Sequence, residues 1–163
     1  MNQPRHTHPG FTLIEVVVVM LLLAIIAGTV GLNLSKDPAS EVREEAERLA
    51  ILINVARDQA ILEGRFYGIR FNVTGYEFTR LNMKGELNIV TDDVLLRKRE
   101  FSGDIQLNGI SIDGKSIEIA DSGFLVTPVG QFPAFIVSLS NGNILWQVLA
   151  TEQGTVEAGP PDA

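Results

Sequence analysis

The hydrophobic positions of this chain fall into three successive patterns. From Val16 to Ala27 twelve residues in a row are apolar, and Gly28 to Leu32 extend the run with small or apolar side chains. An apolar run with no polar face predicts a helix that meets water on no side. Drawn as one helix from Phe11 to Leu34, it is about 36 Å long at ~1.5 Å per residue, enough to cross a bilayer core about 30 Å thick. The second pattern begins at Asp37-Pro38, an N-cap followed by proline at the first helical position. Beyond it Val42, Ala46, Leu49, Ile53, Ala56 and Ala60 recur every three or four residues, which makes one apolar stripe on a helix. Glu41, Glu44, Glu45, Glu47 and Asp58 fall mostly off that stripe. Gly64 is the stop signal, so this helix is expected at about 38–63, continuing the first with a kink or break at Pro38.

The third pattern has a period of two and predicts strands over the β-rich region 65–157. Phe66–Phe71 and Tyr76–Leu81 flank Asn72-Val73-Thr74-Gly75 as a hairpin, and Val94–Arg99 reads as a short strand. Ile105, Leu107, Ile110, Ile112, Ile117 and Ile119 alternate with polar residues around an Asp113-Gly114 turn. Phe135–Leu139 and Ile144–Leu149 flank Asn141-Gly142-Asn143 as a third hairpin. From Thr151 the chain is polar, and the final AGPPDA reads as a frayed tail. A helix with one apolar stripe needs a sheet to bury it, so the head is expected to be α+β, a helix on two packed antiparallel sheets.

Composition narrows the chemistry. The chain of 163 residues carries a formal net charge of -7 and has no cysteine. Disulfides, thiol nucleophiles and Cys-type zinc sites are excluded. The two histidines, His6 and His8, both precede the apolar run. If the N-terminus is processed, the mature chain loses the commonest general base and metal ligand. From Ser35 onward there are 12 Lys+Arg against 19 Asp+Glu, an acidic balance that argues against nucleic acid as a partner.

Several local patterns have an ordinary reading that outweighs the functional one. Gly109–Ser116, GISIDGKS, satisfies the P-loop expression letter by letter. A phosphate-cradling loop must open a helix, whereas Ser116-Ile117-Glu118-Ile119 alternates like a strand, so no nucleotide site is expected there. Asp92, Asp93, Asp104, Asp113 and Asp121 lack the spacing of a calcium loop and read as solvated acids. Arg97-Lys98-Arg99 reads as a charged sheet edge whose alternate side chains point opposite ways. Trp146, Phe124, Phe132 and Phe135 read as core by default, while Phe132-Pro133 after Thr127-Pro128 also suggests a loop with fixed turns that can bind partners where it is exposed. No catalytic set, metal site or cofactor site is expected.

Glu15 is the residue that the first pattern does not explain. A carboxylate inside a membrane helix costs roughly 2.5–3.5 kcal/mol at the centre and less near the interface. The ordinary reading places it in the first helical turn, where the helix dipole favours negative charge. The sharper one gives it a dedicated cationic partner. No A-x-A cleavage site follows the apolar run, and Arg5 is the only Lys or Arg before it, so an ordinary secretory signal is a poor fit. The string Gly10-Phe11-Thr12-Leu13-Ile14-Glu15, after a short polar leader, resembles the class III signal of type IV pilins and type II secretion pseudopilins. That resemblance implies a leader 1–10 removed by a prepilin peptidase between Gly10 and Phe11, and N-methylation of Phe11. It also implies a transmembrane helix 11–34 and a pilin-like periplasmic head 35–163. Cleavage creates an α-amine at Phe11. In a filament of staggered subunits, Glu15 of one chain can meet that amine on its neighbour, so that a buried polar group sets the register.

Ala56-Arg57-Asp58-Gln59-Ala60-Ile61-Leu62-Glu63-Gly64, then Gly75-Tyr76-Glu77-Phe78 and Thr127-Pro128-Val129-Gly130, resemble the H-type minor pseudopilins of type II secretion. This resemblance implies a single-pass subunit of the bacterial inner membrane, incorporated near the tip of a short pseudopilus. Its implied partners are the minor pseudopilins I, J and K and the major pseudopilin G. The FimT-like minor pilins of type IV pili share the same A-R-x-x-A-I-x-x-G stretch, and some bind DNA. The region Thr151 to Ala163 has Glu152, Glu157 and Asp162 but no Lys or Arg, which weighs against DNA.

Overall fold

The computed structural model describes residues 12–30, 37–120, 122–150, 154 and 156–161, with side chains except those of 25–30. The chain divides into two units, Met1–Ser35 and Lys36–Ala163.

The first unit holds helix α1 (Leu13–Val30), 18 residues with Glu15 as the acid of its first turn. Its side chains from Leu13 to Leu23 are exposed all round. An 18-residue helix is about 27 Å long, just short of the ~30 Å of a bilayer core. Among the described residues, no helix is long and apolar enough to cross a membrane.

The second unit begins with helix α2 (Pro38–Glu63). The Asp37 side chain accepts from the Ala39 N–H at 3.2 Å, and Pro38 needs no such partner. The helix ends at Gly64, whose φ of 62° is left-handed and whose N–H returns to the Ala60 carbonyl. All six residues of the expected stripe are buried, and Ala50 and Leu52 join them. One acid departs from expectation. Glu45 does not face solvent but is only 1% exposed.

Ten strands follow: β1 (Tyr67–Asn72), β2 (Gly75–Leu81), β3 (Leu87–Ile89), β4 (Arg99–Glu100), β5 (Gln106–Ile112), β6 (Lys115–Ile117), β7 (Gly123–Val126), β8 (Phe135–Asn141), β9 (Ile144–Ala150) and β10 (Val156–Gly159). They form two antiparallel sheets. One has the order β3-β2-β1-β7, with β4 also paired to β2, and the other has the order β10-β9-β8-β5-β6. Helix α2 lies chiefly on β8, β9 and β10 and also touches β1 and β7. The sheets share one core. Phe124 of β7 stacks on Phe135 of β8 with ring centroids 4.2 Å apart, and Phe71 and Phe132 close in from either side.

Three expectations are corrected. Val94–Lys98 is not a strand, because the Asp93 carboxylate accepts from the N–H groups of Leu95 and Leu96 at 2.6 and 3.0 Å and turns the chain. The alternation from Ile105 is broken by a register shift between Leu107 and Gly109. That bulge lets Leu107 and Ile110 both face inward despite their odd spacing, and the partner strand β6 ends at Ile117, before Ile119. The terminal segment is not frayed as far as Gly159. Val156–Gly159 pairs with β9, and Val156 is buried. Phe132 packs against Phe124 and Phe135, as its core reading expects. The exposed apolar residue of that loop is Val129.

Candidate processing and assembly site

The expected processing residues Gly10 and Phe11 lie outside the described residues. Glu15 lies inside them, in the first turn of α1. Its N–H and that of Val16 donate to the Thr12 carbonyl at 3.0 and 3.3 Å, so Thr12 is where the helix starts. Thr12 and Glu15 stand at the T-x-x-E spacing of a capping box, a local signal for the helix start that the reading of Glu15 from its charge alone had missed. The positive end of the helix dipole adds a further preference for a carboxylate here. Glu15 is exposed in the single chain, among exposed apolar neighbours on every side. A helix start therefore accounts for the position of this carboxylate. It leaves the carboxylate accessible to a cation on another molecule.

The stretch Ala56–Gly64 has a structural reason for each of its distinctive residues. Ala56 and Ala60 are fully buried, and small side chains there let α2 approach the second sheet closely. Arg57 between them donates from Nη1 to the Gly154 carbonyl, holding the chain just ahead of β10. Gly64 is the left-handed cap. Arg80 ties the same end of the helix to the first sheet, with Asp92 at 2.7 Å and Glu63 at 3.7 Å. The Arg80 hydrogen bond holds the exposed Asp92 carboxyl below its ordinary range.

The buried Glu45 organises the other end. One of its oxygens accepts from Arg48 Nη1 at 2.9 Å and from Ser102 Oγ at 3.1 Å. The other oxygen has no hydrogen-bond partner, nor does the buried Tyr76 hydroxyl. Burial, and then the Glu45 charge, push the Tyr76 phenol well above its ordinary range, while Arg99 and Arg48 pull it partly back. Periodicity could not have found Glu45, since it sits beside the stripe and is covered by the segment around Ser102.

Arg97, Lys98 and Arg99 are corrected as a group. Only Arg99 belongs to a strand, and the three do not point to opposite faces of one. With Arg48 and Glu100 they line one cavity of about 280 Å³. Gly109–Ser116 forms most of the β5–β6 hairpin, with Asp113 and Gly114 at positive φ in its turn, and leads into strand rather than helix. Of the candidate calcium acids, Asp92 is engaged by Arg80, Asp93 caps its own loop, and Asp121 lies outside the described residues. Among the described residues, no three His, Cys, Asp or Glu side chains gather as a metal set.

Comparison with known proteins bears on both units. Residues 5–31 match the family model of the prokaryotic N-terminal methylation motif. The chain is 26% identical over 151 residues to type II secretion system protein H of Aeromonas hydrophila, covering 83% of this chain and 82% of that one. It is 43% identical over 72 residues to type II secretion system protein H of Pseudomonas aeruginosa, a match that spans 42% of that protein. The fold is similar to the crystal structure of the minor pseudopilin EpsH from the type II secretion system of Vibrio cholerae. The TM-score there is 0.66 at 20% identity, over 78% of this chain and 99% of that one.

Proposed function

We propose that this chain is a type II secretion minor pseudopilin of the protein H type, a structural subunit at or near the tip of a periplasmic pseudopilus. Such a pseudopilus drives the export of folded exoproteins across the outer membrane. The observation that carries the reading is the start of α1. An all-round apolar helix with one carboxylate in its first turn sits inside a methylation motif and precedes a pilin-like head.

In this reading a prepilin peptidase cuts between Gly10 and Phe11, and the new Phe11 amine is methylated. The chain crosses the inner membrane once through 11–34, and the head from 35 onward stands in the periplasm. Desolvation would make Glu15 costly in lipid, and pairing with the Phe11 amine of a neighbouring subunit offsets that cost only when the subunits are in register. The exposed apolar side chains of Leu13 to Leu23 then pack against lipid and against neighbouring helices. The partners are the minor pseudopilins I, J and K and the major pseudopilin G. The head supplies surfaces rather than a reaction centre.

The test is the culture-supernatant proteome of a clean deletion strain against its parent and a complemented strain. Exoproteins should disappear outside the cell, accumulate in the periplasm and return on complementation. Unchanged secretion in a strain with no second secretion system would overturn the assignment.

A further inference from the structure

The cavity lined by Arg48, Arg97, Lys98, Arg99 and Glu100 stands out on a chain whose net charge is -7. Its cations are unequally engaged. Arg48 is held by the buried Glu45. Arg99 donates from Nη2 to the Leu95 carbonyl at 3.2 Å, while its buried Nε has no hydrogen-bond partner. Arg97 and Lys98 are exposed, and among the described residues neither has a carboxylate within ion-pair distance. Four cations thus face one rim carboxylate, Glu100, and two of the four are anchored in place. The segment that carries Arg97 and Lys98 also carries two exposed apolar side chains, Val94 at 79% and Leu95 at 51%.

We propose that this cavity is a docking site for an acidic stretch of a partner protein. A Glu or Asp carboxylate is seated among Arg48, Arg97 and Lys98, and Val94 and Leu95 supply apolar contact beside it. The lining favours a carboxylate on a protein over a phosphate group. Glu100 on the rim repels a multiply charged anion more than a singly charged one. Guanidinium groups match the planar, bidentate shape of a carboxylate. Two exposed aliphatic side chains on the same segment give nothing to a free anion, but they can extend a protein contact. The acidic balance of the whole chain disfavours a nucleic-acid backbone. Glu45 is a positioning residue here, because it holds Arg48 and does not itself line the cavity.

The test uses the full chain in non-ionic detergent and a short fluorescent peptide of alternating Glu and Ala. A Gln-for-Glu peptide, inorganic phosphate and glycerol 3-phosphate, a soluble phospholipid headgroup, serve as comparators. Fluorescence anisotropy should show weak binding of the Glu peptide that falls as salt rises. The Gln peptide should not bind, and neither phosphate compound should displace the Glu peptide at equal concentration. The exposed double variant Arg97→Glu/Lys98→Glu should keep its melting temperature and bind the peptide about tenfold more weakly or worse. Binding that survives this variant, displacement by phosphate or glycerol 3-phosphate, or no binding at all would each overturn the proposal.

Discussion

Replacing Phe135 by alanine probes the contact that makes two sheets into one head. Phe135 is 2% exposed and stacks on Phe124 at 4.2 Å with an interplanar angle of 24°, and Phe132 lies 5.9 Å away. Its ring therefore touches β7 of one sheet from β8 of the other. A buried Phe→Ala change costs about 3–5 kcal/mol, and an aromatic pair contributes about 0.5–1.5 kcal/mol beyond its buried area. Because aromatic neighbours surround the ring, the cost belongs in the upper half of that range, about 4–5 kcal/mol. A domain of this size has about 5–15 kcal/mol in all, so the variant should remain folded only marginally and melt about 10–20 °C lower.

The assay is urea unfolding of the unit from Lys36 onward. Trp146, the chain's one tryptophan, serves as a probe in β9, and far-UV circular dichroism reports both sheets. If the sheets share one core, the two probes move together in the parent and in Phe135→Ala. The control is Leu125→Ala, one residue from Phe124 on the same strand but 44% exposed, which should cost under about 1 kcal/mol. A loss under about 1 kcal/mol for Phe135→Ala, or an equal loss for Leu125→Ala, would refute the facing of β7 and the shared core.

Three further predictions concern processing, assembly and pH. Gly10→Phe should leave an uncleaved precursor in the membrane, whereas the parent's mature N-terminal mass should fit a chain beginning at methylated Phe11; a different N-terminus would refute the motif's assignment. Glu15→Ala should leave membrane insertion intact and deplete the subunit from purified pseudopili, and normal incorporation would show that the carboxylate sets no register. Burial raises both tyrosines, Tyr67 and Tyr76, above their ordinary 10.0. The folded state therefore holds protons that the unfolded chain releases, so stability contributed by these phenols is full below pH 10 and is lost as pH rises above it. Ultraviolet absorbance at pH 10 should show less phenolate in the folded head than in the urea-unfolded chain, and equal phenolate in the two states would contradict the burial.

The sequence carried more about α2 than about any other element. Its stripe, its Asp37-Pro38 start and its Gly64 stop are local signals, and local signals decide helices whose ends are capped. The hairpins β1–β2 and β8–β9 were legible for the same reason, because alternation and turn residues adjoin in sequence. β3, β7 and β10 were not legible. Each is only three or four residues long and exists by pairing with a longer strand, a contact that single-chain periodicity does not encode. At the candidate site, Glu15 was marked by its contrast with apolar neighbours. The Arg48 cavity was hidden because it joins α2 to a segment about fifty residues away, through the buried Glu45 and its bond to Ser102.

The sheet edges constrain how such a subunit can assemble. The inner strands β1, β2, β5, β8 and β9 have six or seven residues. The strands at the edges, β3, β4, β6, β7 and β10, have two to four. Three of these edge strands also carry charge: Arg99 and Glu100 in β4, Lys115 in β6 and Glu157 in β10. Short, charged edges are how soluble sheets avoid adding strands from other chains. A subunit that must polymerise in order, without random edge-to-edge growth, needs its sheets closed to pairing and its contacts placed elsewhere. Among the described residues, two surfaces that can make ordered contact without edge pairing are the apolar α1 with Glu15 at its start and the charged face around Arg48. Both present a definite charge pattern rather than an open backbone ladder. Assembly would then depend on salt and on single charges, as the Glu15 and Arg97/Lys98 variants are designed to reveal.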